Sequence, residues 1–263
     1  MREVTQAQVV DCLVRLGIQP ADGLLVHSAV QFLGKPVDGS GTERSRSVGM
    51  YLEAIQQVTG PQGTIAVPTF NFDFAQGAPY DPGTTPSKGM GAFSEYVRQH
   101  PQARRTSHPM QSLAIIGHYA GDLAGRDTLS AFDPGSAFER MLEIDFKLLL
   151  LGAHASAISM FHYCEHRANV PYRYWKDFPG QVRTPSGWQQ RTYRMFVRNL
   201  DLNPQLTLDP VVAYMQARQE WRSLPLNYGT LTVCKLSDFV AAADKFLAED
   251  PWSLVTNKAD CLR

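Results

Sequence analysis

The sequence predicts an α/β protein: a single domain with a mixed sheet and flanking helices. Three observations carry this. Five short apolar runs, "GLLVHS", "GTIAVPTF", "SLAIIG", "KLLLLG" and "GTLTVCKL", have the length and composition of buried strands. Helical patterns alternate with them, at residues 5–16, 45–59, 91–100, 136–143, 157–168, 209–219 and 237–248. Finally, 263 residues with 44% apolar content are enough for one large domain with a substantial core, so 1–263 is read as one unit.

The elements follow in order. The opening "MREVTQAQVVDCLVRLG" reads as an amphipathic helix capped by Thr5. Charges interrupt it and no small-residue cleavage site follows, so it is not read as a signal peptide. "KPVDGSGTERSRS" (35–47) is a polar, basic, glycine-bearing loop. A second long loop, "NFDFAQGAPYDPGTTPSKGMG" (71–91), carries aromatics and reads as an ordered active-site wall. A hairpin is expected through "VRTPSGWQQRTYRMFV", with Ser186-Gly187 at its turn. Asp209-Pro210 and Ser237 suit the starts of the last two helices, as N-cap and first position.

Composition narrows the function classes. Lys+Arg and Asp+Glu both number 25, so the formal charge is zero and nucleic acid is not an expected partner. The longest apolar run, "LLLLGA", is far too short to span a membrane. Cys12, Cys164, Cys234 and Cys261 are scattered without a C-x-x-C pair, which suggests neither a zinc ribbon nor a disulfide framework. The expectation is a soluble cytoplasmic protein with reduced thiols.

Four stretches could carry chemistry. In "TPSKGMGAFSEY", Ser87 can cap a helix, Gly89 and Gly91 admit a ligand close to the backbone, and Lys88 adds charge beside free amides. A plain capped helix accounts for the same residues. "RRTSHPMQSLAIIG" gathers Arg104, Arg105, Ser107, His108 and Ser112 just before a strand. His108 precedes a proline and is therefore extended; it lines a cleft or simply bonds a neighbouring loop. "LLVHSAVQFLG" places His27 and Ser28 at a strand end, where open α/β sheets bind ligands. "FHYCEHRANVPYR" puts His162, Glu165 and His166 within five residues. On a helix, His162 shares a face with both others, whereas Cys164 points elsewhere. Three readings stay open: a solvated face with one weak pair; a zinc site needing a third ligand such as Glu220 or Glu249; and an acid–base dyad in which Glu165 orients His162.

Taken together, five stretches resemble the antibiotic N-acetyltransferases, the family of the aminoglycoside 3-N-acetyltransferases. They are His27-Ser28-Ala29 with Gly34; Val67 to Phe70; Pro86 to Glu95; Arg105 to Ser112; and Gly152 with His162 to His166, all in the family's order. The resemblance covers residues 24–173, the motif-bearing part, and is looser over 174–263. It implies the family's own α/β fold, distinct from the GNAT fold, and acetyl transfer from acetyl-CoA to an amine. It also implies that the His27–Gly34 loop, with Val30 and Lys35 beside it, and the Ser87–Gly91 turn, with Lys88 and Met90, hold pantetheine and phosphates. Arg105, Ser107 and His108 would lie near them. His162 would be the base and Glu165 its orienter, and a backbone amide or the Thr69 hydroxyl would steady the oxyanion. Phe70, Asp73, Ser156 and Arg173 would meet the acceptor. The loop before His162 offers Ser156 in place of a carboxylate, and Lys35, Arg44, Arg46, Arg167, Arg173 and Lys176 are basic. The acceptor expected is therefore an amino sugar, free or nucleotide-linked; an aminoglycoside is the alternative. A zinc hydrolase and a non-catalytic CoA-binding protein are the alternatives from other classes. No metal is expected. The one macromolecular partner left open is a second copy of the chain.

Overall fold

A computed structural model describes residues 2–38 and 43–262, with the side chains of 43–47 outside the described set. In chain order the elements are β1 (Glu3–Val4), α1 (Gln6–Arg15), β2 (Gly23–Ser28), β3 (Lys35–Pro36), α2 (Glu43–Thr59), β4 (Thr64–Pro68), α3 (Gly91–Gln99), β5 (Arg104–Arg105), β6 (Leu113–Gly117) and α4 (Ala120–Ala124). They continue with α5 (Ala137–Glu143), β7 (Lys147–Leu151), α6 (Phe161–Arg167), β8 (Arg173–Thr184), β9 (Gly187–Arg198), α7 (Asp209–Ala217), β10 (Arg222–Leu226), β11 (Gly229–Lys235), α8 (Leu236–Glu249) and α9 (Lys258–Cys261).

The central sheet has seven strands in the order β10-β11-β7-β2-β4-β6-β5. β2 runs parallel to both β7 and β4, and the outer pairings are antiparallel. The sheet is thus mixed, as the sequence predicts. Its side chains alternate between two cores. Leu24, Val26, Ile65, Val67, Leu149 and Leu151 face the layer of α1, α2 and α3. Leu25, Ala66, Leu113, Ile115, Leu148 and Leu150 face the layer that includes α5, α6, α7 and α8. Burial on both faces explains why β2 and β7 read as continuous apolar runs. β8 and β9 form a separate hairpin, anchored by Phe178, Val182 and Tyr193 on Phe74, Tyr80 and Met110.

Several local expectations hold. Thr5 caps α1 in a full capping box with Gln8. All four cysteines are buried and free. Others are corrected. Leu208, not Asp209, is the N-cap of α7, which moves Asp209 and Pro210 into its first turn. α8 begins at Leu236, one residue before Ser237. The helix expected over 157–168 starts at Phe161, because Ala155–Ala157 is a 3-10 turn and Ile158 is extended. The hairpin is longer than expected, and Gly187 opens its second strand with φ +109°.

Candidate active site

A cavity of about 550 Å³ opens beyond the carboxyl ends of β2 and β4, where α3 and α6 begin. Its lining includes Ser28, Phe70, Gly91, Ser159, His162 and Leu206. This is where an α/β sheet with parallel central strands places a ligand. Glycine makes the approach to α6 possible. Gly152, with φ +75°, closes β7 so tightly that a Cβ there would lie 2.7 Å from Ala29 O.

α6 buries Phe161, Tyr163, Cys164 and Glu165 and leaves His162 on the cavity side. The His162 side chain is 36% exposed, while that of Glu165 is fully buried. Their separation of three residues brings His162 Nδ1 to 2.7 Å from Glu165 Oε2. A carboxylate only accepts, so Nδ1 carries a proton, and in the neutral ring the lone pair lies on Nε2. Burial pushes the Glu165 carboxyl up. The hydrogen bond from His162, then the charge and hydrogen bond of Arg173, outweigh burial and hold it below the usual carboxylate range. Glu165 is therefore an anion in the native protein.

His27, at the end of β2, faces His162 from below. The amide and hydroxyl of Ser159 both lie 2.9 Å from His27 Nε2. An amide can only donate, so Nε2 accepts and the proton sits on Nδ1, which has no partner. Burial first, then the neighbouring His162, pulls the His27 pKa down to about 3. His27 is thus a neutral wall of the site. The buried Ser28 hydroxyl also lacks a protein partner and lines the cavity. Opposite, α3 starts at Gly91 without a side-chain cap, and Gly89, Met90 and Gly91 all line the cavity. Its first-turn amides have no partners within the helix.

The other candidate residues fall elsewhere. Ser87 gives both its amide and its hydroxyl to Glu95 Oε2, at 2.9 and 2.8 Å. Lys88 pairs with Asp73 at 2.6 Å, which occupies both. Ala29 donates its amide to Leu151 O, and Val30 begins a 3-10 turn. Gly34 packs against Arg2 O and Asn227, and Lys35 lies in the β1–β3 ladder. Arg105 does not line this cavity: its guanidinium donates to Thr69 Oγ1, Ser112 Oγ, Thr69 O and Thr85 O and stacks on Tyr80. The same network takes up the Thr69 hydroxyl, the one expected at the oxyanion, and Thr69 is buried outside the cavity lining. Ser107 donates to Asp127 at 2.5 Å. His108 accepts the Gln111 amide and reaches Arg194 O, and burial lowers its pKa to about 4. Phe70 and Ser156 do line the cavity. Arg173 does not: its side chain is buried on Glu165, at 2.8 Å. Arg167 pairs with Asp244. The side chains of Arg44 and Arg46 lie outside the described residues.

The zinc arrangement does not form. His162 Nδ1 is taken by Glu165, and His166 turns away, with Nδ1 2.9 Å from Phe132 O. Among the described residues no three His, Cys, Asp or Glu side chains converge as ligands. Among the contributors missed in the sequence are Gln31, Phe72 and Ser94; Ser159, whose position three residues before His162 was the available signal; and the 206–208 segment, which carries none.

Comparison with known proteins places the chain in a family. A family model described as aminoglycoside 3-N-acetyltransferase matches residues 25–248. An aminoglycoside N(3)-acetyltransferase III from Salmonella sp is 32% identical over 189 residues, covering 65% of this chain and 63% of the relative. An aminoglycoside N(3)-acetyltransferase VIII from Streptomyces fradiae is 27% identical, covering 64% and 63%. The match therefore spans a little under two thirds of these relatives. Among solved structures, AAC-IIIb bound to CoASH superposes with a TM-score of 0.80 at 20% identity, covering 94% of this chain and 97% of that one. An AAC(3)-IVa variant in complex with gentamicin gives 0.76 at 23% identity, covering 97% and 92%. With 224 of its 263 residues inside the family match and the same fold throughout, the chain belongs to the aminoglycoside 3-N-acetyltransferase family.

Proposed function

We propose that the protein transfers an acetyl group from acetyl-CoA to an amine of an aminoglycoside-type acceptor, with His162 as general base. One observation carries the chemistry: the buried carboxylate of Glu165 fixes the Nδ1–H tautomer, so the Nε2 lone pair is free to take a proton from the attacking amine. The acetyl thioester supplies the electrophile; direct attack needs no protein nucleophile. Cys164 is buried and its thiol pushed well up by burial, then by Asp244, so it is no competing nucleophile. The donors left for the thiol ester carbonyl and the CoA backbone are the Ser28 hydroxyl and the first amides of α3. The unpartnered Ser28 hydroxyl and the uncapped start of α3, both at residues that line the cavity, support a CoA site there. The family match and the relatives' names favour an aminoglycoside acceptor.

A second reading, an amino sugar with few charges, has one observation in its favour. Among the described residues that line the cavity, none is Asp or Glu. A drug with several ammonium groups loses hydration on binding and needs carboxylates in return. The nucleotide-linked version has lost support, since Arg173 and Arg167 already have carboxylate partners. The test follows liberated CoA thiol with aminoglycosides, free amino sugars and nucleotide-linked amino sugars side by side. Highest kcat/KM on an aminoglycoside supports the main reading; preference for a mono-amine replaces it; turnover of none overturns both.

A further inference from the structure

We propose that Arg173 is a positioning residue that keeps His162 in its neutral, proton-accepting form; this rests on the reading of His162 as base. The argument starts from one oxygen. Glu165 Oε2 takes the His162 Nδ1–H at 2.7 Å and an Arg173 N–H at 2.8 Å. The same Arg173 nitrogen lies 3.3 Å from His162 Nδ1. Both nitrogens carry hydrogens, so this contact is tolerable beside a neutral imidazole and repulsive beside an imidazolium. Arg173 is held in place by β9, where its other terminal nitrogen donates to Phe196 O at 3.2 Å.

The electrostatic consequence differs from that of a simple pair. A lone buried carboxylate would favour a charged histidine strongly. Here the guanidinium already balances the carboxylate. Protonating His162 then creates a net positive cluster instead of a neutral one. No other described group facing His162 reverses this. His27 below is neutral, Phe132 presents a ring edge 6.0 Å away, and the Tyr172 hydroxyl next to Glu165 is held protonated by burial, then by the charge of Glu165. Arg173 does not line the cavity, so its effect runs through His162 and Glu165 and not through the acceptor.

The test is an NMR pH titration of the His162 ring in the free protein, its signal assigned by loss in His162→Gln. Arg173→Met and Arg173→Gln remove the charge with two different shapes; Arg173→Lys keeps it. Both neutral variants should raise the titration midpoint by roughly one pH unit or more, and the lysine variant should stay near wild type. In parallel, the acidic limb of kcat/KM should move upward in the neutral variants, with turnover near pH 7 reduced about tenfold, regained at higher pH, and the KM for acetyl-CoA unchanged. An unmoved midpoint in whichever neutral variant folds overturns the proposal, as does a lysine variant that shifts as far as the neutral ones. A raised midpoint with an unmoved kinetic limb leaves the electrostatics standing and removes His162 as the base.

Discussion

Two clusters of the molecule hold similar side chains and do opposite things. Around α6 sit His162, Glu165, Arg173, His27 and Ser28. At the edge formed by β5 and β6 sit Arg105, His108, Ser107, Thr69 and Ser112. In the second cluster each of these side chains is hydrogen-bonded to protein: Arg105 alone reaches five oxygens, and His108 uses both ring nitrogens. In the first, the same types of residue leave an imidazole nitrogen and a serine hydroxyl facing a cavity without protein partners. Residue type does not separate chemistry from scaffolding; unspent hydrogen-bonding capacity does.

The largest expected effect breaks the comparison at its active end. His162→Ala should lower kcat by roughly 10²–10⁴ in the thiol-release assay while melting near the wild-type temperature. Retained turnover would move the base elsewhere. At the scaffolding end, Arg105→Met should do the reverse. It leaves the Thr85 carbonyl unpaired and the Thr69 carbonyl with only the Ser112 hydroxyl, and should cost about 1–3 kcal/mol in urea unfolding, with kcat of the folded fraction nearly unchanged. A stable Arg105→Met that has lost acetyl-CoA binding would instead put Arg105 in the site.

Acid tests both clusters at once, since each hides one neutral histidine. Their pKa values, about 3 for His27 and about 4 for His108, lie below the unfolded value near 6.5. The unfolded chain therefore binds protons that the native one refuses. Stability is full above pH 6.5 and falls as pH drops toward 4, by up to about 1.4 kcal/mol per pH unit for each histidine. His108→Gln should flatten that slope by about one proton; an unchanged slope in urea titrations at several pH values would show that His108 is charged when folded. The smallest effect is that of Ser28→Ala. Its hydroxyl has no protein partner, so stability should change by less than about 0.5 kcal/mol while the KM for acetyl-CoA rises several-fold. Equal KM values would remove Ser28 from the CoA contacts.

Much of this was legible in sequence, for physical reasons. The central strands announced themselves because both their faces are buried, and the dyad because a spacing of three is a helical contact. What failed was anything that depended on distant partners. "RRTSHPMQS" looks like a site because Arg105 is polar before a strand; nothing local reveals that Thr69, 36 positions away, absorbs it. Arg173 was read as an acceptor contact for the same reason: its partner is set by the way the hairpin folds back onto α6. β10 was missed because Pro225 breaks the strand pattern, although an edge strand tolerates it. The start of α6 was placed too early because a 3-10 turn at 155–157 has helical composition without continuing as a helix.

The four buried cysteines have a practical corollary. A thiol-reactive dye added to the intact protein meets no exposed sulfur among the described residues, and burial pushes the Cys12, Cys164 and Cys234 thiols up, away from the reactive thiolate. On the proposed reaction, the colour that develops would therefore count released CoA and little else. Once substrate is exhausted, the same dye becomes a clock for the chain itself, since each molecule that opens adds four equivalents to the signal. One cuvette can thus read turnover first and the lifetime of the native state afterwards.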